Sequence, residues 1–87
     1  MTTIVLADDH EVVRQGLRAL LAVEPDLSVI GETGDGLEVA DLVQRLKPDV
    51  LVVDLALPGL SGLEITRRVV EQSPGTRVIV LTMYANE

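Results

Sequence analysis

Val50-Leu51-Val52-Val53-Asp54 is a run of four aliphatic residues that stops on a carboxylate. β-Branched side chains are restricted at χ1 in a helix and fit a pleated strand, so the run predicts a β-strand. It shows no polar alternation, which is the pattern of a strand covered on both faces in a parallel sheet. Leu55-Ala56-Leu57-Pro58-Gly59-Leu60-Ser61-Gly62 follows. Pro58 and the two glycines break regular structure there, so Asp54 is expected at the lip of a loop. A second run, Ile4-Val5-Leu6-Ala7, ends the same way on Asp8-Asp9.

Outward from these two runs, strands and helices alternate. Asp9 is placed to cap a helix whose residues Val13, Leu17, Leu20 and Leu21 recur at helical spacing as far as Ala22. Gly16 within it costs about 1 kcal/mol relative to alanine. Leu27 to Thr33 is less uniformly apolar and predicts an edge strand with one exposed side. Gly34-Asp35-Gly36 turns the chain. A helix then starts at Asp35 or Gly36, carries Val39, Ala40, Val43 and Leu46, and stops at Lys47-Pro48. Ser61 and Glu64 have the spacing of a capping box. In the helix they open, Ile65, Val69 and Val70 are expected inside, with Arg67, Arg68 and Glu71 facing water. Arg77 to Leu81 predicts a fourth strand, ending on Thr82.

Strand and helix alternating through short loops give βαβ units with right-handed crossovers: one α/β domain, three layers, parallel sheet. At 87 residues such a domain buries roughly 60–65% of the surface its unfolded chain exposes. The core must be aliphatic, since Tyr84 is the only aromatic residue. Seven basic against fourteen acidic side chains give a net charge of −7. That balance argues against nucleic-acid binding by these residues themselves. With no cysteine there is no disulfide framework and no thiolate metal site. No apolar stretch is long enough to span a membrane, and a first strand beginning so near Met1 leaves no room for a signal peptide. The expected setting is the cytoplasm.

All strands of a parallel sheet present their C-terminal ends on one edge. Asp8, Asp9, Asp54 and Thr82 sit at or just past such ends. If the first and third strands are neighbours, about 4.8 Å apart, their terminal carboxylates converge. Crowded carboxylates repel, and a hard cation with oxygen ligands relieves that repulsion. Mg²⁺ suits a shell of carboxylates and water. Gly31-Glu32-Thr33-Gly34-Asp35-Gly36 lacks the spacing of a phosphate-cradling glycine loop and reads as turn glycines. His10 is the only histidine, so no histidine pair can build a transition-metal site. At the first turn of a helix it is expected on the surface. No serine–histidine nucleophile elbow is present.

Three segments carry a family resemblance: Leu6-Ala7-Asp8-Asp9-His10, Asp54 through Gly62, and Leu81-Thr82-Met83. Together they resemble the receiver domain of two-component response regulators. The run Asp8 to Leu17 is similar to the NarL/FixJ branch, usually fused to a LuxR-type helix-turn-helix. The resemblance implies a flavodoxin-like fold of strand order 2-1-3-4-5, here incomplete, with the fifth βα unit absent. It also implies that Asp54 is the phosphoacceptor and that Asp9 binds Mg²⁺ directly, with Asp8 acting mostly through water. Asp54 and the backbone carbonyl of Ala56 complete the protein ligands. Thr82 would hydrogen-bond the phosphoryl group and act as the switch. Ala56, Met83 and Tyr84 would tune access and hydrolysis. The implied partner is a sensor histidine kinase, with DNA contacted only through a helix-turn-helix domain outside this chain. On this reading the chain is a phosphoacceptor that assists its own phosphotransfer, not an enzyme.

Lys47 is the only lysine and does not match the family's lysine, so phosphorylation is expected to be slow or undetectable. A bared fourth strand or sheet face is expected to cause self-association. Two other functions stay open at this point. One is an association module that is never phosphorylated. The other is an Mg²⁺-dependent phosphatase with an aspartate nucleophile, although Asp54-Leu55-Ala56 lacks the second acid of its usual D-x-D.

Overall fold

The computed structural model describes residues 1–55 and 57–81. Four strands and three helices alternate along it. These are β1 (Thr2–Ala7), α1 (Glu11–Ala22), β2 (Leu27–Thr33), α2 (Gly36–Leu46), β3 (Val50–Asp54), α3 (Gly62–Gln72) and β4 (Arg77–Leu81). The sheet has order β2-β1-β3-β4 with every pairing parallel. This is an open, parallel α/β sheet whose four strands stand in the order that the resemblance implies, and β2 is an edge strand as its mixed polarity predicts.

Strand alternation divides the sheet's side chains between two faces. On one face Val5, Ala7, Leu51 and Val53 pack with Val39 and Val43 of α2, and with Ile65 and Val69 of α3. All are essentially inaccessible to solvent. On the other face Leu6 stands level with Glu32 of β2 and Val52 of β3. Glu32 pairs with Arg14 and Arg18, which places α1 over β1 and β2. Cover thins toward the far side of that face. Leu6 is buried, Val52 half-buried, and Ile79, level with Val52 on β4, is half exposed.

Three expectations need correction. Asp9 does not cap α1. The helix begins at Glu11, so His10 occupies the cap position without a side-chain bond, and it is Asp8 Oδ1 that accepts the His10 N–H at 2.8 Å. The stripe Val13-Leu17-Leu20-Leu21 is wider than the surface that covers it. Leu20 is 69% exposed and no residue of α1 is fully buried. Val70 is also exposed, because it lies about 100° around the helix from Val69, whereas Ile65 and Val69 share a face.

Other boundaries follow the local chemistry. Asp35 caps α2, accepting the Leu37 N–H at 2.9 Å. Lys47 closes α2 in the left-handed region, φ 47°. Ser61 caps α3 by accepting the Glu64 N–H at 3.2 Å. The Glu64 carboxylate turns to Arg67 and Arg68, so only the Ser61 half of the capping box is seen. Asp49 ties β3 to β1 by accepting both the N–H (2.9 Å) and the hydroxyl (3.1 Å) of Thr3.

Candidate acidic metal site

The register of β1 on β3 builds the site. Ala7 pairs with Val53, so Asp8 and Asp54 are the next residues on adjacent parallel strands. Asp8 is 2% exposed and Asp54 1%. Asp9 projects from the following residue with its side chain partly open to solvent. His10 closes the group. Carboxylate oxygens of Asp8, Asp9 and Asp54 and a ring nitrogen of His10 all lie within 4.8 Å of one another. The structure thus brings together the three acids that the sequence placed on one edge.

His10 belongs to the site more closely than the sequence indicated. Its Nδ1 stands 2.9 Å from Asp8 Oδ1, 3.1 Å from Asp9 Oδ1 and 3.7 Å from Asp54 Oδ2. A carboxylate only accepts, so Nδ1–H donates to Asp8. That bond, and then the charge of Asp9, raise the His10 pKa above its ordinary value. The available signal was its position immediately after two acids at a strand end; the cap it occupies turns the ring back over them.

The donor chemistry fits a hard divalent cation. All three acids offer oxygen, and Asp8 Oδ2 is buried with no hydrogen-bond partner among the described residues. An uncompensated buried carboxylate oxygen is costly, and a cation drawing on Asp8, Asp9 and Asp54 would satisfy it. The loop beyond Asp54 is held against α2: the Gly36 N–H donates to Pro58 O at 2.9 Å. A Cβ at Gly36 would stand 2.7 Å from that same oxygen and 2.8 Å from backbone atoms of Leu60. A side chain there would push the loop, which is why glycine opens this helix.

Lys47 is at the other end of the sheet. It precedes β3, whose run from Val50 to Asp54 spans about 13 Å, and so it stands at the edge opposite the acids. Ala56, Thr82, Met83 and Tyr84 lie outside the described residues.

Parallel order, crossover helices and an acidic cluster at the C-terminal ends of adjacent central strands define a flavodoxin-like α/β domain with a carboxylate pocket. Residues 4–87 match the response regulator receiver domain, and the chain belongs to that family. It is 41% identical over 87 residues to the transcriptional regulatory protein LiaR of Bacillus subtilis, covering all of this chain and 41% of LiaR. A LuxR-family two-component response regulator from Aurantimonas superposes with a TM-score of 0.90 at 36% identity, over 99% of this chain and 61% of that one. The isolated receiver domain of RcsB from Salmonella enterica serovar Typhimurium, solved in the presence of phosphomimetic BeF3-, gives 0.89 at 31% identity, over 98% and 64%. The chain therefore spans about two-fifths of the length of that curated relative. Among the described residues no helix is long and apolar enough to cross a membrane.

Proposed function

We propose that this chain is the phosphoacceptor module of a cytoplasmic two-component system, with Asp54 accepting the phosphoryl group. One observation carries the reading: three carboxylates from two strand ends share a pocket less than 5 Å across with a nearly inaccessible Asp54. An Asp54 oxygen attacks the phosphorus of a phosphohistidine on a sensor kinase, or of a small acyl phosphate. The P–N or P–O bond to the donor breaks, its electron pair leaves with the donor, and an aspartyl phosphate forms.

Asp9, Asp8 through water, Asp54 and the carbonyl of Ala56 would hold Mg²⁺. When bound, the ion neutralises phosphoryl oxygens, which is the main demand of this chemistry. The protein's share is positioning. Asp54 is held in line by the β1–β3 register, and the pocket mouth is open on the side of Asp9 and His10. Thr82 would donate its hydroxyl to a phosphoryl oxygen and serve as the switch. Ala56 and Tyr84 would tune the rate of hydrolysis, and Met83 would restrict access to the phosphoryl group. The phosphorylated form would signal to a DNA-binding output domain outside these residues. That a receiver relative was solved with a phosphomimetic supports the assignment.

The test is incubation with Mg²⁺ and acetyl phosphate, followed by intact mass. A gain of one phosphoryl group that requires Mg²⁺ and is lost in Asp54→Asn is expected, at a slow rate because Lys47 is remote. Release of phosphate from many esters, or no modification at any Mg²⁺ concentration, would overturn the proposal.

A further inference from the structure

Arg14 lies one helical turn beyond His10, and its backbone N–H donates to His10 O at 3.0 Å. Its side chain is only 20% exposed, and its guanidinium makes two kinds of contact. One terminal nitrogen donates to the main-chain carbonyl of Asp8. Nε donates to Glu32 Oε1 at 3.0 Å. Glu32 is itself fixed on β2, level with Leu6, and its other oxygen takes Arg18 at 2.9 Å. On its other side Asp8 is anchored by its N–H, which donates to Thr33 O at 3.0 Å. Both main-chain polar groups of Asp8 are therefore tied to β2, one directly and one through Arg14 and Glu32.

Gly34 makes the room this requires. A Cβ there would stand 2.8 Å from a terminal nitrogen of Arg14 and 3.3 Å from the Cα of Asp9. The first contact would displace the guanidinium from the Asp8 carbonyl, and the second would press on the residue that carries the next carboxylate.

We infer that Arg14 is a positioning residue for cation binding: it locks the Asp8–Asp9 step so that both carboxylates are pre-set toward Asp54. The inference rests on the metal site of the proposed function and adds a residue to it. Three carboxylates in one pocket repel, and the Asp8–Asp9 step, just past the end of β1 and with Asp9 open to solvent, is the part with freedom to swing away. A fixed Asp8 carbonyl removes that freedom before the ion arrives, so less ordering remains to be done on binding. The geometry also separates this role from simple bracing of α1. Arg18 joins the same helix to the same Glu32 but bonds nothing on Asp8.

The experiment is a calorimetric Mg²⁺ titration of the 87-residue chain and of Arg14→Gln, Arg14→Lys, Arg18→Gln and Gly34→Ala, with thermal unfolding measured alongside. Arg14→Gln is expected to weaken Mg²⁺ binding about tenfold, and Arg14→Lys less. Arg18→Gln should stay near wild type even where it lowers stability. The Mg²⁺ concentration for half-maximal phosphorylation should rise in Arg14→Gln, while the rate at saturating Mg²⁺ is kept. If Arg14→Gln weakens binding by less than about three times the effect of Arg18→Gln, the inference is overturned. Should Arg14→Gln fail to fold, Gly34→Ala, which keeps every charge, is judged by the same ratio. A wild-type chain that binds no Mg²⁺ would remove the metal site and this inference together; normal wild-type binding with an unaltered Arg14→Gln removes the inference alone.

Discussion

Asp8 and Asp54 follow directly on the paired residues Ala7 and Val53 and are both almost wholly buried. Two like charges are thus fixed side by side by backbone pairing, with Asp9 close enough to add a third. The sheet register that makes the site also strains it. Removing one charge without changing shape should therefore stabilise the cation-free protein. Asp54→Asn is expected to unfold at higher urea than wild type in the presence of a chelator, by about 1–2 kcal/mol. Saturating Mg²⁺ should close that gap, because it stabilises the native wild type by about 2.7 kcal/mol at a hundred times its dissociation constant. Equal stability of the two proteins with and without Mg²⁺ would argue against repulsion at this site.

Truncation should be costly on the covered face of the sheet and nearly free on the outer face of α3. Leu51 is completely buried among Val5, Val39 and Ile65, whereas Val70 is mostly exposed. Leu51→Ala is expected to cost about 2–5 kcal/mol through lost burial and a residual cavity, a large share of a small domain's stability. Val70→Ala should change stability by less than about 0.5 kcal/mol. Urea melts of the two variants, read against wild type, check both.

How far the sequence could be read follows from the range of the forces involved. Val50 to Val53 and Ile4 to Ala7 announced two buried strands because their burial leaves a contiguous apolar record. Asp35 and Ser61 announced helix starts because capping is local. Asp9 misled because a cap depends on where the helix begins to within one residue, and α1 begins at Glu11. Val70 misled because apolar character alone does not fix the face, and Leu20 because a helix stripe can exceed what covers it. In the site, the three acids were legible from their place at strand ends. The approach of His10 to all three, and the reach of Arg14 back to the Asp8 carbonyl, were not. Both depend on how α1 is seated over β1 and β2, which no local pattern encodes.

Acid should weaken the link between β1 and β3. The Thr3 N–H, and next its hydroxyl, hold the Asp49 carboxylate below its usual pKa. A depressed folded-state pKa contributes stability that is fully present above the unfolded value of about 4, and that is lost as pH falls through the folded value. Asp49→Asn should thus be less stable than wild type at pH 7. The difference should shrink steadily once the pH drops below about 4. Urea unfolding of both proteins across that range measures it, and a constant difference would show that the ionised carboxylate is not what counts.

The outer side of β4 should drive association between copies of the chain. Among the described residues β4 pairs with β3 alone, and its Ile79 is 50% and Val80 39% exposed. These two residues point to opposite faces of the sheet, so each face of the strand is only partly covered, although Val78 packs against the core. A strand with one free row of N–H and C=O groups and apolar side chains is a template for pairing with another strand. A second copy brings the same strand, and Arg77 is the only charge on it to oppose the contact. Sedimentation of the 87-residue chain is therefore expected to show a dimer or larger species growing with concentration. Ile79→Lys, on the face away from α3, should shift the population back toward monomer without loss of helical signal. A wild-type chain that remains monomeric at several hundred micromolar would mean that this edge is protected.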